Sequence, residues 1–249
     1  MMSPAARHMM RVSATENARR DAAPLRNANA YEQMLVKLAA DRRTLSAIHS
    51  KERKADKKRE LLPFYTPWVN GVLNGGKGTQ DDIVMTVMLW RLDADDIPGA
   101  LEIARYAMQY GLTMLTGKRH AAYVLAEEVA LSAHRQRAVN QQVTLASLLD
   151  TIALTGKADM PDIVRAKLHK ITGYVLRDEG QQAEALAHLQ RAIQLEGAIG
   201  VRKDIEQLTR ALQPKPETVP KQTNTRTRKA AAKPAARRGR PPKAAKAAG

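Results

Sequence analysis

The sequence predicts an all-α protein built of helical hairpins, and three observations carry that prediction. The first is the alphabet. Of 249 residues 44% are hydrophobic but only 4% are aromatic, and Ala, Leu, Met and Ile supply the rest, a set that favours helix over strand. The second is periodicity, with apolar residues recurring at three- and four-residue spacing through several long stretches. The third is punctuation, because Pro and Gly fall between those stretches where helices would start or stop. The length admits one large domain or two modest ones, with tails.

Taken in order, residues 1–28 (MMSPAARHMMRVSATENARRDAAPLRNA) hold a few Met and Val without a sustained period. They predict a flexible N-terminal arm, or one ordered only against a partner. A basic amphipathic helix is expected over 29–62, where Tyr31, Met34, Leu35, Leu38, Leu45 and Ile48 form an apolar stripe. From His49 to Glu60 the stripe gives way to six basic and three acidic side chains. If the helix continues, Glu52, Asp56 and Glu60 line one edge and Lys51, Lys54 and Lys58 another, while Arg53–Asp56 and Lys57–Glu60 can pair three apart. The lysine edge is then left without intrahelical partners, as phosphate contacts would require, since these need charge and reach but no special geometry. A solvated helix end is the alternative.

Residues 63–213 read as an all-α assembly domain of hairpins. Pro63 and Pro67 are expected to break the chain, and NGGKGTQDD to form a glycine-rich loop before the next helix, capped by Thr79 or Asp81. The spacing Gly71 to Gly76-Lys77 is close to a P-loop, but Gly78 stands where the magnesium-holding Ser or Thr is needed and no strand precedes it. Nucleotide binding is rejected there. An apolar helix then ends near Asp93, and Pro98 opens a second that ends at Gly111. The same design recurs over VRAKLHKITGYVLRDEGQQAEALAHLQRAIQLEG, with Gly180 in the turn. A shift of 85 residues lays Ala100-Leu101 on Ala185-Leu186 and Ala107 on Ala192. Both pairs resemble tetratricopeptide hairpins, although they are not in tandem. Helices are also expected at 121–137, 144–154 and 201–212, and ADMPDIV reads as a helix start with Asp159 as a cap and Pro161 in the first turn. Beyond Gln213, residues 214–249 have Val219 as their only large apolar side chain and predict a basic tail, disordered when free.

Charge follows this division. The formal net charge is +16, of which residues 1–62 carry +7, residues 63–213 carry −1 and residues 214–249 carry +10. A near-neutral middle between two positive ends points to a polyanion partner, with a solubility tail as the bland alternative. The absence of Cys excludes disulfides and thiolate metal sites and suggests a reducing compartment. The longest apolar run, IVMTVMLW, is too short to span a bilayer and no signal segment leads the chain, so a soluble intracellular protein without a membrane role is expected.

No catalytic set is found. The six His form no i,i+4 zinc pair, and Pro161-Asp162 lacks the downstream acid–spacer–lysine of a PD-(D/E)xK nuclease. Asp93, Asp95 and Asp96 cluster as two-metal nucleases require, so they are the weak alternative for a Mg2+-dependent endonuclease. They also sit where a hairpin turn precedes Pro98 and acids favour the helix N-terminus. No cofactor is expected otherwise. The tail is more telling, because Arg238-Gly239-Arg240-Pro241 is the core of an AT-hook. An A·T-rich minor groove is narrow and negative and attracts arginines, glycine lets the backbone reach its floor, and proline pre-sets an extended path. Arg237 and Lys243 are placed to reach flanking phosphates. A nonspecific polycation is the competing reading, and it too binds DNA.

Several long colinear stretches, SPAARHMMRVSA, YEQMLVKLAADRRTL, LPFYTPWVNGVL, DDIVMTVMLWRLDADDIPGALEIARYAMQYGLTM, MPDIVRAKLHKITGYVLRDEG and RGRPPK, resemble the terminase small subunit of Peduovirus-type temperate tailed phages, a family also labelled terminase endonuclease subunit. The resemblance implies a protein of the host cell cytoplasm that binds the cohesive-end packaging site on concatemeric double-stranded viral DNA. It also implies a homo-oligomeric ring and a terminase large subunit as partner, the latter carrying the ATPase motor and usually the nuclease. Two other readings stay open: a metal-dependent endonuclease in its own right, and a general binder of A·T-rich DNA.

Overall fold

Ten helices and no strand make up the regular structure of the residues that the computed structural model describes, namely 2–19, 28–114 and 120–213. The all-α class is therefore the observed one, and the one ladder contact among these residues is an isolated bridge between Thr113 and His120. All described residues belong to one unit that ends at Gln213, and residues 214–249 lie outside them.

The first departure from expectation is at the start of the chain. Residues Pro4–Arg19 form a helix, α1, rather than an unstructured arm. Ser3 Oγ accepts the backbone N–H of Ala6, and Ala14 is fully buried. α1 escapes a periodicity search because, Met10 apart, its contact face is made of small residues, which carry little hydropathy signal. It lies on Gly71 and Gly75 of α3 (Lys51–Gly75). A Cβ added at Gly71 would stand 2.4 Å from the carbonyl oxygen of Arg11, and one at Gly75 would stand 2.3 Å from Cγ2 of Thr15. Thr15 Oγ1 donates to the Gly71 carbonyl at 2.9 Å across the same seam. The matching of 11 with 71 and 15 with 75 means that α1 and α3 run in the same direction.

The expected helix over 29–62 is two helices. α2 spans Ala28–Ser46 and buries Met34, Leu38 and Leu45 of the predicted stripe. It stops before Ser50, whose hydroxyl accepts the N–H of Arg53 and caps α3 at 3.3 Å. α3 in turn runs straight through Pro63 and Pro67, so the domain boundary expected at residue 62 falls inside a helix. Each interior proline forfeits a backbone hydrogen bond and costs about 3 kcal/mol in an isolated helix. Tertiary packing offsets that cost here. Tyr65, Trp68, Val69 and Val72 are all essentially inaccessible to solvent. Asp41 of α2 accepts the Tyr65 hydroxyl at 2.5 Å, Tyr31 of α2 stacks on Trp68, and α1 covers the glycine seat.

α4 (Asp82–Asp93) and α5 (Ile97–Gln109) form the first hairpin, close to its expected bounds. Of the two proposed caps, Asp81 serves. One of its carboxylate oxygens accepts the N–H groups of Ile83 and Val84 at 2.9 and 3.0 Å, and the other accepts Trp68 Nε1 at 2.8 Å. Burial raises the pKa of this carboxylate, and the three donors pull the other way. α6 (Ala121–Ala138) and α7 (Leu145–Thr155) follow. α8 (Asp162–Asp178) and α9 (Gln182–Leu195) form the second hairpin around Gly180, whose φ of +83° favours glycine. Asp159 does not cap α8; Pro161 occupies the N-cap position, without a side-chain hydrogen bond. α8 and α9 approach closely because Gly173 faces Ala185 and Leu189, leaving no room for a Cβ. α10 (Arg202–Leu212) closes the body. One large core joins α1 to α8, and a small one around Leu176, Ala185, Leu189, Val201 and Leu208 holds α8, α9 and α10 together.

Candidate nucleic-acid interface

The start of α3 is where the sequence places a lysine edge, and the structure divides that edge in two. Lys58 does not face outward to a ligand. Its ammonium is ion-paired with Asp93 and its side chain is only 14% exposed, so it is a tertiary tie between α3 and the α4–α5 turn. The sequence could not show this, because the partner is 35 residues away. Lys51 and Lys54 make no ion pair among the described residues, and Lys51 is exposed. Lys57 and Glu60 pair at 2.6 Å as their spacing predicts. Asp56 takes Arg59 at 2.6 Å rather than Arg53, which leaves Arg53 exposed and, among the described residues, without an ion pair beside the two lysines.

Lys51, Arg53 and Lys54 therefore crowd the first turn of a 25-residue helix, where the macrodipole is already positive. Glu52 is the one acid in that turn. Cations at a helix N-terminus are disfavoured by a few tenths to about 1 kcal/mol each. A bound polyanion removes that penalty, and phosphate oxygens suit both the ammonium groups and the helix end.

The weak catalytic alternative, Asp93, Asp95 and Asp96, is built differently from a metal site. Asp93 is paired with Lys58. Asp95 accepts Ser132 Oγ at 2.7 Å and Arg135 at 3.0 Å, with Arg59 3.7 Å away. Asp96 caps α5 through the N–H of Gly99 at 3.0 Å and faces Arg91 at 3.2 Å. Each carboxylate thus meets its own cation instead of converging with the others, and no group of three or more His, Asp or Glu among the described residues is arranged to hold a metal. The turn is a structural knot. Gln136 Nε2 donates to the Asp95 carbonyl, Arg135 to that of Leu92 and Arg59 to that of Ala94, fastening α3 and α6 to one bend. Asp95 has φ +65°, a conformation that costs a non-glycine residue and persists because these bonds impose it.

The AT-hook residues Arg237, Arg238, Gly239, Arg240, Pro241 and Lys243 lie outside the described residues. Two constellations are not legible in the sequence. The Tyr174 ring has the guanidinium carbons of Arg137 and Arg177 at 5.1 and 5.0 Å, with Asp204 hydrogen-bonded to its hydroxyl at 3.1 Å. His169 and His188, from α8 and α9, bring their Nδ1 atoms to 3.1 Å. Burial, the neighbouring His188, Arg191 and Arg165 lower the His169 pKa to about 4, and burial lowers that of His188. Nineteen residues separate the two histidines, so only the hairpin's register joins them.

Among the described residues, fold and site define a helical protein with a cationic helix start beside a turn whose carboxylates are each paired with a cation. Comparison with known proteins makes the class specific. The family model of the phage small terminase subunit matches residues 35–163, and the chain belongs to that family. It is 64% identical over 247 residues to the terminase, endonuclease subunit of Escherichia phage P2, covering 98% of this chain and 100% of that protein. No solved structure matches it. Membership gives the chain a DNA-packaging terminase role, with DNA and a large terminase subunit as partners in general terms. No helix among the described residues is long and apolar enough to cross a membrane.

Proposed function

We propose that this chain is the DNA-recognition and assembly component of the packaging terminase. It binds the cohesive-end site on concatemeric viral DNA, associates into a homo-oligomeric ring, and passes the duplex to the large subunit. The observation that supports the reading best is the start of α3, where Lys51, Arg53 and Lys54 stand together without acidic partners among the described residues. The AT-hook sequence of the tail, Arg238 to Pro241 with Arg237 and Lys243, adds minor-groove binding at the other end of the chain. The hairpins between them supply surfaces for self-association and for the large subunit.

The P2 relative is named as an endonuclease subunit. In this chain the acids that would serve cutting are each spent on a cation, so we assign cleavage to the assembled enzyme. Competition binding of the full-length chain to packaging-site and scrambled duplexes tests the proposal. Replacing Lys51, Arg53 and Lys54 with Gln should weaken binding, and the salt slope should fall by about 0.9 for each phosphate no longer neutralised. A wild-type protein without preference for packaging-site DNA, or a triple variant with unchanged affinity and slope, would overturn it. Nicking of that DNA by the purified chain with Mg2+, abolished in Asp95→Asn, would establish the endonuclease reading in its place.

A further inference from the structure

The α8–α9 hairpin carries a second concentration of positive groups, at a place where the sequence shows no basic run. Arg165 lies one turn before His169 on α8, and Arg191 lies one turn after His188 on α9, so all four side chains share the face on which the two helices meet. The close approach that Gly173 permits brings the imidazoles together, Nδ1 to Nδ1 at 3.1 Å.

Three acids of the surrounding elements are paired elsewhere. Asp178 takes Arg137 of α6 at 2.7 Å, Asp204 of α10 takes Arg177 at 2.8 Å, and Asp150 of α7 takes Arg105 of α5 at 2.7 Å. Asp162 and Glu184, the acids nearest in sequence, are exposed and make no ion pair with the four among the described residues. Lys170, next to His169, donates to the Ile199 carbonyl at 2.7 Å. Arg165 donates to the carbonyls of Gly156 and Ala158, and Arg191 to the side chain of Gln194. Neutral acceptors orient the two guanidinium groups without cancelling their charge. The permanent charges that bear on His169 are Arg191 and Arg165, both positive, and His188 adds to them only when protonated. A site of this sign repels a metal cation and attracts an anion.

We propose that Arg165, His169, His188 and Arg191 form a phosphate-contact site at the α8–α9 junction that takes a phosphate group of the DNA backbone. This rests on the DNA-binding reading above and adds to it a contact remote in sequence from both basic ends. The proton count is simple. One imidazole donates its Nδ1–H to the Nδ1 of the other, so one ring has an Nε2–H donor and the other an unprotonated Nε2. When the phosphate supplies negative charge, the second Nε2 takes one proton from solvent, and both rings then present donors. Binding therefore gains affinity as pH falls, by up to about tenfold per pH unit for one linked proton.

The test is fluorescence anisotropy of the full-length chain with a short duplex at fixed ionic strength, between about pH 7.5 and about pH 5.5, in the window where histidine titrates. Arg191→Gln, at an exposed position, should reduce the salt slope by about 0.9 without loss of helical content. His169→Asn combined with His188→Asn should flatten the pH dependence. Variants that keep the wild-type pH and salt dependence while DNA is still bound would overturn the site and leave the packaging function standing. If the wild type binds no duplex, the packaging proposal fails instead. Histidine NMR titrations with inorganic phosphate then decide the site: a rise in the pKa of His169 and His188 identifies free phosphate as its ligand, and unmoved titrations overturn it.

Discussion

Gly71→Ala gives a test in which the sign of the effect discriminates. In an ordinary exposed helix this change stabilises by about 1 kcal/mol, because alanine loses less backbone entropy. Gly71 has no positive φ to lose, so propensity alone predicts a more stable protein. The structure predicts the reverse. The new methyl would lie 2.4 Å from the Arg11 carbonyl oxygen and 2.8 Å from Cβ of Ala14. Neither obstacle is the end of a flexible side chain, so α1 must move away from α3. Overpacking of this kind costs about 1–3 kcal/mol, which offsets or exceeds the propensity gain. Displacement also lengthens the Thr15–Gly71 bond and exposes Ala14, worth about another 1 kcal/mol. The loss should be local, seen in hydrogen exchange as deprotection of residues 4–19 while the α4–α5 hairpin keeps its rates. Thermal stability should be unchanged or lower. A variant with a higher Tm and an α1 as protected as in the wild type would show that the helix crossing is not where we place it.

Other expectations follow from the same packing. Asp81→Ala removes two cap bonds and strands the buried Trp68 N–H, so it should cost about 2–4 kcal/mol in chemical denaturation; a loss below about 0.5 kcal/mol would contradict the cap. Lys58→Gln should lower stability while leaving the salt slope of DNA binding as it is, the opposite of Lys54→Gln, because Lys58 is held by Asp93; equal effects on binding would return Lys58 to the interface. The histidine pair makes stability fall with acid. Its folded pKa values lie below the ordinary 6.5, so the unfolded chain binds more protons as pH drops, and stability is lost from about pH 6.5 down to the folded His169 value of about 4. Tm measured across that window should decline less steeply in a His169→Asn variant than in the wild type, and parallel curves would refute the coupling.

How much is legible in the sequence depends on whether the signal is local. The turn at Gly180, the opening of α5 at Pro98 and the Lys57–Glu60 pair can be read directly, because each depends on residues within one or two turns of one another. The Pro63–Pro67 segment misleads because a proline is judged by its cost to an isolated helix, whereas α1 and α2 press α3 into shape. α1 is hidden for a related reason: a seam of Ala, Thr and Gly holds by proximity and leaves little trace in hydropathy. At the candidate interface, counting charges along the chain finds the cationic start of α3 but cannot tell that Lys58 is spent on Asp93, 35 residues on.

By itself the sequence determined the helical class, most of the hairpin bounds and the concentration of positive charge at the two ends, since composition, period and local pairing act over a few residues. The tertiary structure alone decided which charges remain free. It spent Asp93, Asp95 and Asp96 on cations from other turns and helices, left Lys51, Arg53 and Lys54 without an ion pair among the described residues, and joined His169 to His188. The physical reason is that a charge is neutralised by whatever stands within a few ångströms of it, and packing sets those neighbours without regard to their separation along the chain.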